Sequence, residues 1–413
     1  MKVLHVVDSM DPKKGGISRA IQTMAIESAK MGVITEVVSL DVYQLPLFNS
    51  HFTIHTLGPS KTPWSYSSKL IPWFLENISR FDTIIVHGLW LYHSYAVTAA
   101  LKRIKNLWYK KSKLKIPKLF IMPHGMLDPY FQRSSDRKIK AVRNWAYWKL
   151  IEGQVVNNAD AILFTCKEEC RLANEPFKPY HPKQEFIVGL GIEPPPAFNG
   201  LMLKDFLNIC PITNHPYILF LGRIDAKKGV DHLIQAYERI VSDMISNPGT
   251  SVTNNSYNFR NGIPKLVIAG PGLETPYGQK ILSMVKSNPF LNKSVCFPGM
   301  LAGNAKWGAF YGCEAFVLPS HQENFGIAVV EALACCKPVL ISKQVNICHE
   351  IKGFKGGLID EDSLEGTYNN LKSWFKMSDQ DRKTMGLNGR KCFENHFEAV
   401  PATERLIQTM NAI

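Results

Sequence analysis

Short apolar runs, each closed by turn residues and followed by apolar positions at helical spacing, recur along the whole chain. Val3–Val7 ends at Asp8 and the glycine-containing loop Asp11–Gly16. Ile17, Ala20, Ile21, Met24 and Ala25 then recur every three or four residues up to Gly32, and Val33–Leu40 reads as the next strand. Comparable runs stand at Thr83–His87, Leu119–Pro123, Ala161–Thr165 and Glu185–Val188, with helix-like stretches between most of them. Strand and helix in alternation predict a parallel sheet covered on both faces.

Gly191–Pro196 then carries three consecutive prolines, and the weakly periodic Ala197–Pro216 reads as a linker. The alternation restarts with strands at Tyr217–Leu221, Lys265–Ala269, Val295–Phe297, Ala315–Pro319 and Pro338–Ser342. Helices are expected at Val230–Val241, Asn304–Gly312 and Gly326–Cys336. Ser246–Pro264, rich in Asn, Ser, Gly and Thr, reads as a surface insertion without function. The pattern predicts an α/β protein of two doubly wound domains. In such sheets ligands sit outside the carboxyl ends of strands, so the loops after strands are where chemistry is expected.

Composition narrows the class. At 45% hydrophobic and 20% charged, the chain is neither disordered nor fibrous. Its longest apolar runs are too short to span a bilayer, and Met1–Val7 reads as a strand rather than a signal-peptide core. Nine cysteines without a CxxC pair argue against a disulfide framework or a zinc site, and for a cytoplasmic protein. The net charge of +13 is uneven. Met1–Pro195 holds 26 Lys and Arg against 16 Asp and Glu, and Lys102–Lys118 packs eight basic residues with no acidic one. Such a run is a solvated helix end, a contact for an anionic membrane surface, or a nucleic-acid patch; composition does not separate the three.

The densest candidate chemistry is Pro319-Ser320-His321-Gln322-Glu323-Asn324-Phe325-Gly326, continuing to Glu331-Ala332 and Pro338-Val339. Glu323 falls in a loop after a strand and Glu331 on the following helix. Two carboxylates so placed suit hydroxyls at opposite ends of one polyol-bearing ligand, with the amides of Asn324, Phe325 and Gly326 at the helix N-terminus. Leu221-Gly222-Arg223 through Lys228-Gly229 sits between a strand and a helix, where the Arg223 fork and the Lys228 point charge suit a diphosphate. Gly270-Pro271-Gly272 and Gly299-Met300 follow the next two strands. In the first half, Gly15-Gly16 precedes a helix, Pro123-His124-Gly125-Met126 follows a strand, and so does His87-Gly88-Leu89-Trp90 with Tyr92 and His93. Asp360-Glu361-Asp362 could chelate a divalent ion, but it precedes Ser363-Leu364 as a surface turn capping a helix would. No metal is expected there.

The Ser320-x-x-Glu323-x-Phe325-Gly326 run, Glu331 eight positions after Glu323, and the Gly222-Arg223 to Lys228-Gly229 element resemble the signature of retaining glycosyltransferases of family 4 (group 1). The resemblance implies the GT-B fold, two Rossmann-like domains facing each other across a cleft. It implies an acceptor-binding domain over 1–195, a linker over 196–215, a donor domain over 216–388, and a C-terminal helix over 389–413 packing back on the first domain. It implies transfer of a hexose from a nucleoside-diphosphate sugar to a hydroxyl of a glycan or lipid-linked sugar, with retention and without metal or other cofactor. The implied roles are His124, Glu323, Arg223 and Lys228 at the reaction centre. Gly16, Gly270, Gly272, Met300, Asn324, Phe325, Gly326 and Glu331 join them at the donor, with Glu323 on the transferred sugar and Glu331 on the ribose. Gly15, His87 and Trp90 fall on the acceptor side. The Pro-His-Gly-Met and His-Gly-Leu-Trp elements resemble bacterial surface-polysaccharide transferases. That would place the protein at the inner face of the plasma membrane, held through Lys102–Lys118, with no nucleic-acid partner. A sugar-nucleotide epimerase of the same fold and a non-catalytic sugar-nucleotide-binding module are the alternatives.

Overall fold

The computed structural model describes the chain except residues 12–14, 43–50, 109–114, 134–136, 213–214 and 247–262. The chain forms two compact units, Met1–Glu193 with Glu398–Ile413, and Pro194–Phe397.

The first unit is built on seven parallel strands, β1 (Lys2–Val6), β2 (Ile34–Ser39), β3 (Thr53–Thr56), β4 (Thr83–His87), β5 (Lys118–Met122), β6 (Ala161–Phe164) and β7 (Glu185–Ile187), in the order 3-2-1-4-5-6-7. Every residue of β4 and β6 is buried. That is why these strands read as unbroken apolar runs rather than alternating ones. The second unit carries six strands, β8 (Tyr217–Leu221), β9 (Lys265–Ala269), β10 (Val295–Gly299), β11 (Ala315–Leu318), β12 (Val339–Ser342) and β13 (Gly357–Asp360). Their order is 10-9-8-11-12-13, again all parallel. In each sheet the strand order reverses beside the first strand, between β1 and β4 and between β8 and β11. Both are doubly wound.

The C-terminal helix Ala399–Ala412 belongs to the first unit. Ala402, Leu406 and Met410 are buried at four-residue spacing, the Ala399 amide donates to the Ile192 carbonyl at 3.1 Å, and Arg405 Nε donates to the Val188 carbonyl at 3.3 Å. A Cβ on Gly191 would lie 2.7 Å from Ala399 Cα, so this approach requires glycine.

The segment 196–215, expected as a linker, instead contains the helix Gly200–Ile209. Asn199 caps it by accepting from the Met202 amide at 3.2 Å, and Met202 and Phe206 are buried. The helix lies so close to Gly303–Gly312 that a Cβ on Gly308 would meet the Met202 carbonyl at 2.0 Å. Leu201 and Ile209 stay exposed on its outer side, which blurs the apolar stripe in the sequence. The expected insertion 246–264 lies almost wholly outside the described residues. No described helix is long and apolar enough to cross a membrane.

Candidate functional site

In the second unit the loops after β8, β9, β10, β11 and β12 are joined by their backbones. The Gly222 amide donates to the Ala269 carbonyl at 3.0 Å, Ile224 to Pro271 at 2.8 Å, and Gly270 to Gly299 at 2.8 Å. His321 donates to the Lys227 carbonyl at 2.8 Å, Glu323 to Gln344 at 2.9 Å, and Asn346 back to Glu323 at 2.9 Å. Two glycines make the contact possible. Gly270, at φ 141°, leaves no room for a Cβ, which would sit 1.9 Å from the Gly222 carbonyl oxygen. Gly229, at φ 65°, would place a Cβ 2.3 Å from the Pro319 carbonyl oxygen, so only glycine lets the Lys228 loop lie on the Pro319 loop.

That approach brings Lys228 Nζ onto the Glu323 carboxylate, with both side chains largely buried. Burial first, then the neighbouring cations Lys227 and Arg223, push the Lys228 ammonium down to about 7. The Asp225 carboxylate opposes that shift. Arg223 is exposed on the same loop. Gly326, at φ 73°, opens the helix Ile327–Ala334, and the carbonyl of Gly326 accepts from the Val329 amide at 2.8 Å. Asn324 Oδ1 accepts from Asn346 Nδ2 at 3.3 Å. Phe325 is buried edge-on to Phe397, so a ligand would meet its backbone rather than its ring. Met300 is 73% exposed beyond β10.

Glu331 is 3% exposed and accepts from Lys306 Nζ at 2.5 Å, a lysine on the helix Gly303–Gly312. Lys306 carries no signal in the sequence; nothing in its neighbours marks it, and only the tertiary contact reveals it. Both glutamates singled out for ligand hydroxyls are therefore charged partners of lysines.

In the first unit Gly15, at φ 138°, is the N-cap of the helix Gly16–Lys30. His124 follows β5 at φ 52° and belongs to a chain of imidazoles. His5 Nδ1 lies 2.8 Å from His87 Nε2, and His87 Nδ1 lies 2.9 Å from His124 Nε2. Burial holds His5 and His124 down to about 4. His87 is held well below the usual histidine range, by burial first and then by His5, His124 and His93. A neutral imidazole has one donor and one acceptor, so both contacts of His87 must run in the same direction. His87, an acceptor-side candidate in the sequence, is 1% exposed with both ring nitrogens engaged; it supports His124 rather than meeting a sugar. Trp90 likewise packs on Phe177 at 5.1 Å and Trp148 at 6.3 Å, against the core.

The Asp360-Glu361-Asp362 acids are engaged locally. Asp362 lies 3.2 Å from His321 Nδ1, Glu361 pairs with Lys343, and Ser363 caps the helix Leu364–Lys376. Among the described residues no group of three or more His, Cys, Asp or Glu is placed to hold a metal ion. Of the basic cluster Lys102–Lys118, residues 109–114 lie outside the described residues. Lys115 pairs with Asp82, and Lys102 Nζ donates to Gln154 Oε1 at 3.2 Å.

Residues 209–392 match the model of the family described as glycosyl transferases group 1. The capsular polysaccharide biosynthesis glycosyltransferase CapM of Staphylococcus aureus is 27% identical over 195 residues, 46% of this chain and 45% of CapM. An uncharacterized glycosyltransferase of Methanocaldococcus jannaschii is 29% identical over 140 residues, 33% of this chain and 30% of that protein. The chain thus spans less than half the length of these curated relatives. Solved structures match throughout. Anabaena HepE, crystallised with UDP and glucose, superposes with a TM-score of 0.69 at 15% identity, covering 100% of both chains. WaaG, a glycosyltransferase involved in lipopolysaccharide biosynthesis, does so at 0.66 and 15% identity, covering 98% of this chain and 99% of its own. These likenesses establish the GT-B fold.

Proposed function

From the match of residues 209–392 to the glycosyl transferases group 1 family, we propose that this protein transfers a hexose from a nucleoside-diphosphate sugar to a hydroxyl acceptor, with retention of configuration. The observation that carries the reading is the joined set of loops after β8, β9 and β11, in which Gly229 lets Lys228 reach Glu323. In this reading Arg223 and Lys228 receive the diphosphate, whose charge grows as the sugar departs. Glu323 exchanges its lysine contact for hydroxyls of the transferred sugar, and Glu331 accepts from the ribose. Gly270 and Gly272 let the backbone pass close to the nucleotide, Met300 lies toward the base, and the amides of Asn324 to Gly326 add donors. In the first unit, Gly16 and His124 are the residues the family resemblance puts forward for the donor, and Gly15 the one for the acceptor. No metal takes part, because lysine and arginine supply the positive charge.

The acceptor is a glycan or a lipid-linked sugar, the latter supported by the net basic first unit. HepE makes UDP-glucose the first donor to test. A panel of sugar nucleotides screened by thermal shift identifies the donor, since a bound ligand stabilises the folded state by mass action. Product analysis with that donor then tests the reaction. Stabilisation by no sugar nucleotide would refute the reading, and release of free nucleotide and sugar without acceptor would point to an epimerase.

A further inference from the structure

The donor chemistry leaves unused the helix Lys138–Tyr147 of the first unit and the turn Trp148–Glu152 that continues it. The inward side is set by Asn144 and Trp148, four residues apart and 6% and 1% exposed. The other side presents Ile139 at 88%, Val142 at 69%, Trp145 at 55% and Leu150 at 73% exposure. The first three of these recur every third residue, which keeps them on one flank of the helix. Among the described residues few other stretches expose large apolar side chains in a row, and an apolar patch of this kind marks an interaction site. Its frame is basic. Arg137, Lys138, Lys140, Arg143 and Lys149 stand among the apolar residues, and no acidic residue occurs between Arg137 and Ile151. Lys149 Nζ lies 6.0 Å from the centre of the Trp145 ring.

We propose that this helix is an interfacial contact for an anionic lipid surface, with Ile139, Val142, Trp145 and Leu150 entering the acyl boundary and the exposed Lys138, Lys140, Arg143 and Lys149 meeting the headgroups. An apolar strip within a cationic frame is what an anionic amphiphile layer complements. A second copy of this chain fits poorly, because a two-fold contact would set one cationic frame against another. Nucleic acid would use the charge but leave the exposed Ile, Val and Leu without a role. This surface is distinct from Lys102–Lys118, and it stands independently of the donor assignment because vesicle binding is read without turnover.

The full-length protein is sedimented with phosphatidylcholine vesicles containing or lacking phosphatidylglycerol, at low and high salt. Wild type is expected to partition onto the anionic vesicles at low salt. The triple variants Ile139→Ser/Val142→Ser/Trp145→Ser and Lys138→Ser/Lys140→Ser/Arg143→Ser should each lower the partition coefficient by about tenfold or more, with the circular-dichroism spectrum unchanged. Wild type left in the supernatant, or an apolar triple variant that sediments like wild type, overturns the proposal. So does a wild-type dimer in solution that Trp145→Ser converts to monomer. Should the triple variants lose their native spectrum, tryptic cleavage of wild type decides. Anionic vesicles should protect the bonds after Lys138, Lys140 and Arg143, and unchanged cleavage would overturn the assignment. Vesicle binding without binding of any sugar nucleotide would leave this surface standing and refute only the transferase reading.

Discussion

Replacing Lys306 by Met removes the cation that faces Glu331 while keeping most of the apolar stem. Glu331 is 3% exposed and its partner 13%, so the substitution takes the countercharge from a carboxylate that water hardly reaches. Breaking a buried ion pair from one side typically costs about 3–5 kcal/mol, most of it the penalty of the charge left behind. Because the lysine retains some exposure, the lower end applies, about 3 kcal/mol. For a unit of roughly 200 residues, a loss of that size lowers the melting temperature by about 6–12 °C. Thermal denaturation followed by circular dichroism reads it directly. The double variant Lys306→Met/Glu331→Gln removes the uncompensated charge and should recover most of the loss, a coupling that separates the ion pair from mere repacking. A single variant melting within about 1 °C of wild type would refute the reasoning, as would a double variant no better than the single.

Arg223→Ala and Lys228→Ala should each reduce turnover with the identified donor by about 10²–10³-fold, and the exposed Arg223 should do so with the melting temperature nearly unchanged; near wild-type rates in both would move the diphosphate site elsewhere. Treatment with EDTA should leave activity largely intact, and complete loss restored by Mg²⁺ would revive a metal role for Asp360-Glu361-Asp362. The buried histidines predict acid sensitivity. His5 and His124 stay neutral to about 4 when folded against 6.5 when unfolded. As pH falls from 6.5 toward 4 the unfolded chain takes up protons the folded one refuses, so stability is full above 6.5 and declines through that window. A urea midpoint equal at pH 7 and pH 5 would count against the neutral imidazole chain.

The central strands of the two sheets were legible because parallel strands buried on both faces leave apolar runs that no surface helix imitates; the half-buried edge strands β3 and β13 carry no such run and were not read. Lys228 and Glu323 were legible as separate elements, since each follows a strand and glycines mark the turns beside them. Their contact was not, because it depends on how closely the backbone passes Gly229. Lys306 was invisible for the same kind of reason: it acts on Glu331 from another helix. The histidine chain joins His5, His87 and His124 only because β1, β4 and β5 are neighbours in the sheet. Ile139, Val142 and Trp145 have the spacing of an ordinary core helix, and exposure alone separates them from one. The helix Gly200–Ile209 was obscured by apolar residues on both of its sides.

The central claim is that the second unit binds a nucleoside diphosphate through Glu331 and the loops after β8 and β11. Calorimetric titration of UDP and GDP into wild type and into Glu331→Ala tests it most directly. Wild type should bind one of the two, and the variant should lose about 10- to 150-fold in affinity, the worth of a hydrogen bond to a charged group. A folded Glu331→Ala protein with unchanged affinity, or a wild type that binds neither diphosphate, would contradict the account.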